Sequence, residues 1–95
     1  MRPPRWRVEF LPVARRELSA LRGPVQDRVR TAIRSLAADP LPPDSIAMKG
    51  KGTGRYRLRV GDYRVVYRIH KERVTVLVIR IGHRREVYRG WERRR

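Results

Sequence analysis

Residues 55–70, RYRLRVGDYRVVYRIH, decide the fold. Apolar and basic residues alternate on both sides of Gly61-Asp62, which is the period of a β-strand interrupted by two residues suited to a tight turn. With those two as the turn, the register of a hairpin between Arg55–Val60 and Tyr63–Ile69 follows. Val60 faces Tyr63, Arg59 faces Arg64, Leu58 faces Val65, Arg57 faces Val66 and Arg55 faces Arg68. Side chains alternate between the faces of a sheet, so Tyr56, Leu58, Val60, Tyr63, Val65 and Tyr67 share one face. Arg55, Arg57, Arg59, Arg64 and Arg68 share the other. Like charges set directly opposite each other destabilise a sheet by roughly 0.2–1 kcal/mol per pair. A face meant only for solubility would intersperse acids, yet Asp62 in the turn is the only acid between Arg55 and Glu72. An arginine face of this kind suits an anion, and a phosphodiester backbone in particular.

Working outward, the apolar run Val74–Ile81 supplies a third strand after a turn around Lys71 and Glu72. Upstream, residues 41–54 are rich in Pro, Gly, Asp, Ser and Lys without a period, and read as a loop. Before it, Pro24 opens a helix with Val25, Val29, Ala32, Ile33 and Leu36 on one stripe, ending ahead of Asp39-Pro40. A shorter helix begins at Pro12, carries Val13 or Ala14, Leu18 and Leu21 at helical spacing, and stops at Gly23. Trp6–Phe10 is a strand candidate, and the tail Arg84–Arg95 a short strand or helix with a basic end. The order β-α-α-β-β-β predicts one α+β domain over residues 1–95. Its N-terminal strand and helical hairpin pack on one face of a mostly antiparallel sheet.

Composition narrows the function. The chain has 25 Lys and Arg against nine Asp and Glu, a net charge of +16, and nearly all of its basic residues are arginine. Such a field favours a polyanion, with nucleic acid ahead of a membrane surface because no basic amphipathic helix stands apart. Cysteine is absent and there are only two histidines, so no disulfide, transition-metal site or cofactor is expected. The longest apolar stretch is far below the roughly 20 residues that span a bilayer, and the expected compartment is the cytoplasm.

A second cluster, Gly82-His83-Arg84-Arg85-Glu86-Val87-Tyr88, follows the last strand. It combines proton carriers, a charge clamp and a stacking ring, the set that RNA cleavage by a neighbouring 2′-hydroxyl requires. Other conspicuous residues have plainer readings. His70 is solvent-facing near a turn, Trp6 and Trp91 are packing residues, and Arg15, Arg16, Arg28, Arg30 and Arg34 lie on the polar sides of the helices.

The run Tyr56-Arg57-Leu58-Arg59-Val60-Gly61-Asp62-Tyr63-Arg64-Val65-Val66-Tyr67, with the Gly82–Tyr88 motif, resembles the RelE/ParE superfamily of toxin–antitoxin toxins, and more closely its RelE-like mRNA interferase branch. The resemblance covers nearly the whole chain. It implies metal-free attack of a 2′-hydroxyl on the adjacent phosphorus of mRNA in the ribosomal A site, leaving a 2′,3′-cyclic phosphate and a 5′-hydroxyl. It places Arg57 and Arg59 at the scissile phosphate and makes Arg64 the phosphate holder. Arg84 becomes the transition-state stabiliser and Tyr88 the ring that orients the RNA. Arg55, Arg68, Arg85, Lys49 and Lys51 are expected to bind RNA beside them. Some members carry a lysine at the position of Arg57, and arginine is too strongly basic to accept a proton. His83 is then the first candidate for the general base, with Glu86 and Tyr88 behind it.

The resemblance also implies a partner, a cognate acidic antitoxin joined to the toxin in a hetero-oligomer, with a helical segment covering the arginine face or the helical hairpin. The alternatives are a gyrase inhibitor of the same fold, which usually lacks this set of arginines and the tyrosine, and a plain RNA-binding module whose affinity falls steeply with salt.

Overall fold

A computed structural model describes residues 5–48 and 54–87. Strand β1 (Arg7–Phe10) leads into helices α1 (Pro12–Ala20) and α2 (Gly23–Ser35); β2 (Ser45–Ala47), β3 (Arg55–Val60), β4 (Tyr63–His70) and β5 (Thr75–His83) follow. The five strands form one sheet in the order β1-β5-β4-β3-β2. All neighbours are antiparallel except β1 and β5, which run parallel. This is the expected α+β layout of two helices against a sheet.

Both helices begin with proline in the first turn and no side-chain cap. The junction between them is secured instead by Gln26 of α2, whose Nε2 donates to the Leu18 and Leu21 carbonyls at the end of α1 at 3.0 and 3.3 Å. These are carbonyls that a helix terminus leaves without intrahelical partners. The helices bury Ala14, Leu18, Val29, Ile33 and Leu36 against Leu58, Val65, Tyr67, Val76, Val78 and Ile81. The Tyr67 hydroxyl, inside this layer, donates to the Pro40 carbonyl at 2.6 Å.

The β3–β4 register is the one the Gly61-Asp62 turn dictates, from Val60 opposite Tyr63 to Arg55 opposite Arg68. Gly61 takes φ +61°, a left-handed conformation that favours glycine. The segment read as a loop over 41–54 contains β2, a strand that alternation could not reveal because it is only three residues long and sits on a sheet edge. Its pairing with β3 supplies the fifth strand. The second hairpin closes through a 3₁₀ turn (Lys71–Arg73), and Val74, at φ 49°, turns the chain before β5 begins at Thr75.

In β5, Val78 pairs with Tyr67 and Arg80 with Val66, so Ile79 is an extra residue in a bulge. Strict alternation from Val76 and Val78 would turn Arg80 into the core; the bulge re-phases the strand so that Ile81 is buried there instead. β1 ends opposite Val78. Beyond it Glu17 of α1 takes over, accepting the Ile81 N–H at 2.7 Å and the Arg80 guanidinium at 3.0 and 3.1 Å. The Glu17 carboxylate thus replaces a strand partner where the sheet edge is left open. No described helix is long and apolar enough to cross a membrane.

Candidate functional site

The face of the sheet away from the helices carries the arginines in rungs set by the register. Arg59 of β3 faces Arg64 of β4, which faces Gly82 of β5. On the outer side, Arg59 donates its N–H to the Asp44 carbonyl at 3.1 Å, which places Asp44 at the head of the same rung. The next rung runs Ile46, Arg57, Val66, Arg80. Arg57, Arg59 and Arg64 share a cavity of about 530 Å³ with Arg84, Arg85, Asp44, Pro43 and Ile46. Side chains from three strands, the segment before β2 and the turn after β5 therefore meet at one place.

Arg64 and Arg84 are held by local devices. Arg64 Nη1 donates to the Gly61 and Tyr63 carbonyls, both at 2.9 Å, folding the guanidinium over the hairpin turn while its Nε and Nη2 donors remain for a ligand. Arg84 is tied to the same turn twice, its N–H donating to the Asp62 carbonyl at 2.8 Å and its Nε lying 3.8 Å from the Asp62 carboxylate. After His83 the chain turns back on itself, with the Glu86 and Val87 N–H groups on the His83 carbonyl at 2.8 and 2.9 Å. Glycine at position 82 permits this, since a Cβ there would stand 3.3 Å from the Val87 Cβ. Packing of buried Val87 over Gly82 holds the turn that presents Arg84 and Arg85.

Not every expected site residue joins the cavity. Arg55 and Arg68 face each other four residues further along the hairpin, about 13 Å from the Arg59–Arg64 rung at ~3.3 Å per residue. They lie outside the cavity lining. His83 pairs with Tyr63, whose side chain packs against the helix-side core, and the two rings meet edge to face at 5.5 Å. His83 Nδ1 accepts the Arg85 N–H at 3.2 Å, so the imidazole braces the turn from the side opposite the arginines. Glu86 is exposed and also does not line the cavity. Lys49, Lys51, Tyr88 and Trp91 lie outside the described residues. Trp6 packs against the core, and Arg15 stacks over the Phe10 ring at 4.9 Å. The residue that sequence reading missed is Asp44. Its only signal was an acid just before a short edge strand, and its partner Arg59 is fifteen residues away.

Comparison with known proteins identifies this architecture. The family model described as ParE toxin of type II toxin-antitoxin system, parDE, matches residues 8–88. The chain belongs to the RelE/ParE superfamily of toxins. The toxin is 33% identical over 86 residues to Toxin RelG of Mycobacterium tuberculosis, an alignment covering 86% of this chain and 94% of that protein. In the toxin–antitoxin complex RelBE2 of M. tuberculosis, the matching chain superposes with a TM-score of 0.75 at 29% identity, over 86% of this chain and 94% of that one. The isolated Escherichia coli RelE toxin superposes with a TM-score of 0.73 at 25% identity, over 94% and 97% of the two chains.

Proposed function

We propose that this RelE-like toxin is a cytoplasmic endoribonuclease that cuts mRNA, held in the ribosomal A site, by attack of a 2′-hydroxyl on the adjacent phosphorus. The products are a 2′,3′-cyclic phosphate and a 5′-hydroxyl, and the positive charge the step needs comes from guanidinium groups. One observation carries the reading: Arg57, Arg59, Arg64, Arg84 and Arg85 border a single cavity. Attack at phosphorus adds negative charge to the non-bridging oxygens, and fixed donors aimed at that charge favour the transition state over the ground state. Arg64, held at the turn by two carbonyls, is suited to grip those oxygens. Arg84, oriented by Asp62, is suited to stabilise the charge as it develops. Arg57, Arg59 and Arg85 complete the clamp, and Tyr88 is assigned the stacking contact that orients the RNA. Arg55 and Arg68, with Lys49 and Lys51, would meet phosphates further along the strand. The imidazole of His83, on the other side of the sheet, is given no proton in this scheme.

A surface of this charge calls for an acidic antitoxin whose segment covers the arginine face in a hetero-oligomer. Among relatives, RelBE2 of M. tuberculosis was solved as a toxin–antitoxin complex and RelE of Pyrococcus horikoshii as a RelE–RelB complex. The test is primer-extension mapping of mRNA on translating ribosomes, with wild type beside Arg64→Ala. Wild type should produce discrete cuts, and the variant should be slower by about 10²–10³, the usual effect of removing one oxyanion donor. Uncut mRNA together with inhibition of gyrase by the same preparation would overturn the ribonuclease reading.

A further inference from the structure

A guanidinium in a protein only donates, so the arginines of the cavity supply no proton acceptor. Among the described residues that line it, Asp44 alone carries a carboxylate. Resting on the ribonuclease reading, the geometry points to Asp44 as the general base that takes the proton from the attacking 2′-hydroxyl.

Asp44 is positioned by backbone bonds that any side chain at 44 would keep. The Ser45 N–H and Oγ both donate to the Pro42 carbonyl, at 2.9 and 2.7 Å, closing a tight turn across Pro43 and Asp44. Pro43 has its φ fixed by its ring. The Arg59 N–H on the Asp44 carbonyl then extends the β2–β3 ladder by one residue, setting Asp44 beside Arg59 and one strand further from Arg64. Neighbouring strands lie roughly 4.8 Å apart, so a phosphate held between Arg59 and Arg64 has its sugar within reach of the carboxylate.

The charged groups around Asp44 are Arg57, Arg59 and Arg64 from the strands and Arg84 and Arg85 from the turn after β5. Asp27 and Arg28 of α2 border the adjoining cleft, which Asp44 also lines. This surrounding is mostly cationic. In the step, the 2′-O–H proton passes to the carboxylate as the O2′–P bond forms. The P–O5′ bond breaks with its electron pair on O5′, O5′ takes a proton from water, and Asp44 returns its own proton to solvent.

The decisive measurement is single-turnover cleavage of mRNA on programmed ribosomes by wild type, Asp44→Asn and Asp44→Glu, with affinity read separately on RNA carrying 2′-deoxyribose at the cut site. Asp44→Asn should cut about 10²–10⁴-fold more slowly, the span of general acid–base catalysis, and should bind the uncuttable RNA as tightly as wild type or more tightly. It should also lose the acid limb of unit slope in the pH–rate profile. Asp44→Glu should recover part of the rate and the acid limb. Wild-type cleavage with Asp44→Asn equally fast and unchanged in pH profile would remove Asp44 and leave the ribonuclease reading intact. Absence of wild-type cleavage would remove both.

Discussion

Replacing Arg64 by alanine should flatten the salt dependence of RNA binding by a calculable amount. Among the described residues, five guanidinium groups border the cavity, Asp44 lines it with them and the Asp62 carboxylate lies beside Arg84, a net of three positive charges at the site. Each phosphate neutralised on a single strand contributes a slope of about −0.7 to log K against log salt. An RNA tetramer with three phosphodiesters, made with 2′-deoxyribose so that it cannot be cut, should therefore bind with a slope of about −2 and lose about 20-fold in affinity between about 50 and 200 mM salt. With one fewer cation the slope should be about −1.4 and the loss about sevenfold over the same range. The short probe matters, because the chain carries a net +16 and a long RNA would also touch arginines outside the cavity. Fluorescence anisotropy titrations at several salt concentrations read both slopes. An Arg64→Ala slope equal to that of wild type would show that Arg64 meets no phosphate.

Two further predictions concern the frame that holds the site. Glu17→Ala strands the Ile81 N–H and the Arg80 guanidinium at a contact whose side chains are only 24% and 32% exposed. Losing these charge-assisted bonds should cost about 3 kcal/mol, which for a chain of 95 residues lowers Tm by about 15 °C at an unfolding entropy of ~2.1 cal/mol/K per residue. Glu17→Gln keeps an acceptor for Ile81 and should recover part of the loss; a Glu17→Ala melting curve by circular dichroism within about 3 °C of wild type would contradict the account. Tyr67→Phe removes the bond to the Pro40 carbonyl and should cost about 1 kcal/mol near neutral pH. Burial raises the Tyr67 pKa above its ordinary 10.0, so in alkali the unfolded chain loses this proton before the folded chain does. Its contribution to wild-type stability is intact below pH 10.0 and is lost as pH rises beyond it, so the gap in Tm between wild type and Tyr67→Phe should narrow there. A gap that stays constant into alkali would refute the assignment.

The hairpin shows how much of the site local chemistry specifies. A two-residue turn and strict alternation leave one register for Arg55–Tyr67, and that register alone puts Arg57, Arg59 and Arg64 on one face. The Gly82–Tyr88 motif was also legible as a cluster of functional side chains, although the orientation of its described part was not. A side chain's face depends on counting residues from a paired neighbour, and the bulge at Ile79 changes that count. His83 therefore looked like a proton acceptor for the site, while its ring stands with Tyr63 on the helix side.

By itself, the sequence determined the elements whose partners are near in the chain: the helical hairpin, the β3–β4 register and the arginine face. Alternation, helical spacing and turn residues are local constraints, and a local reading recovers them. Only the tertiary structure decided the parallel β1–β5 pairing, the Glu17 bridge across the open edge, the fold-back of Val87 over Gly82 and the entry of Asp44 at the head of the Arg59–Arg64 rung. Each of these joins residues distant in sequence, or depends on how a short segment with no period of its own meets a surface made elsewhere. Three-residue β2 is the clearest case, since it is a strand because β3 offers it an edge.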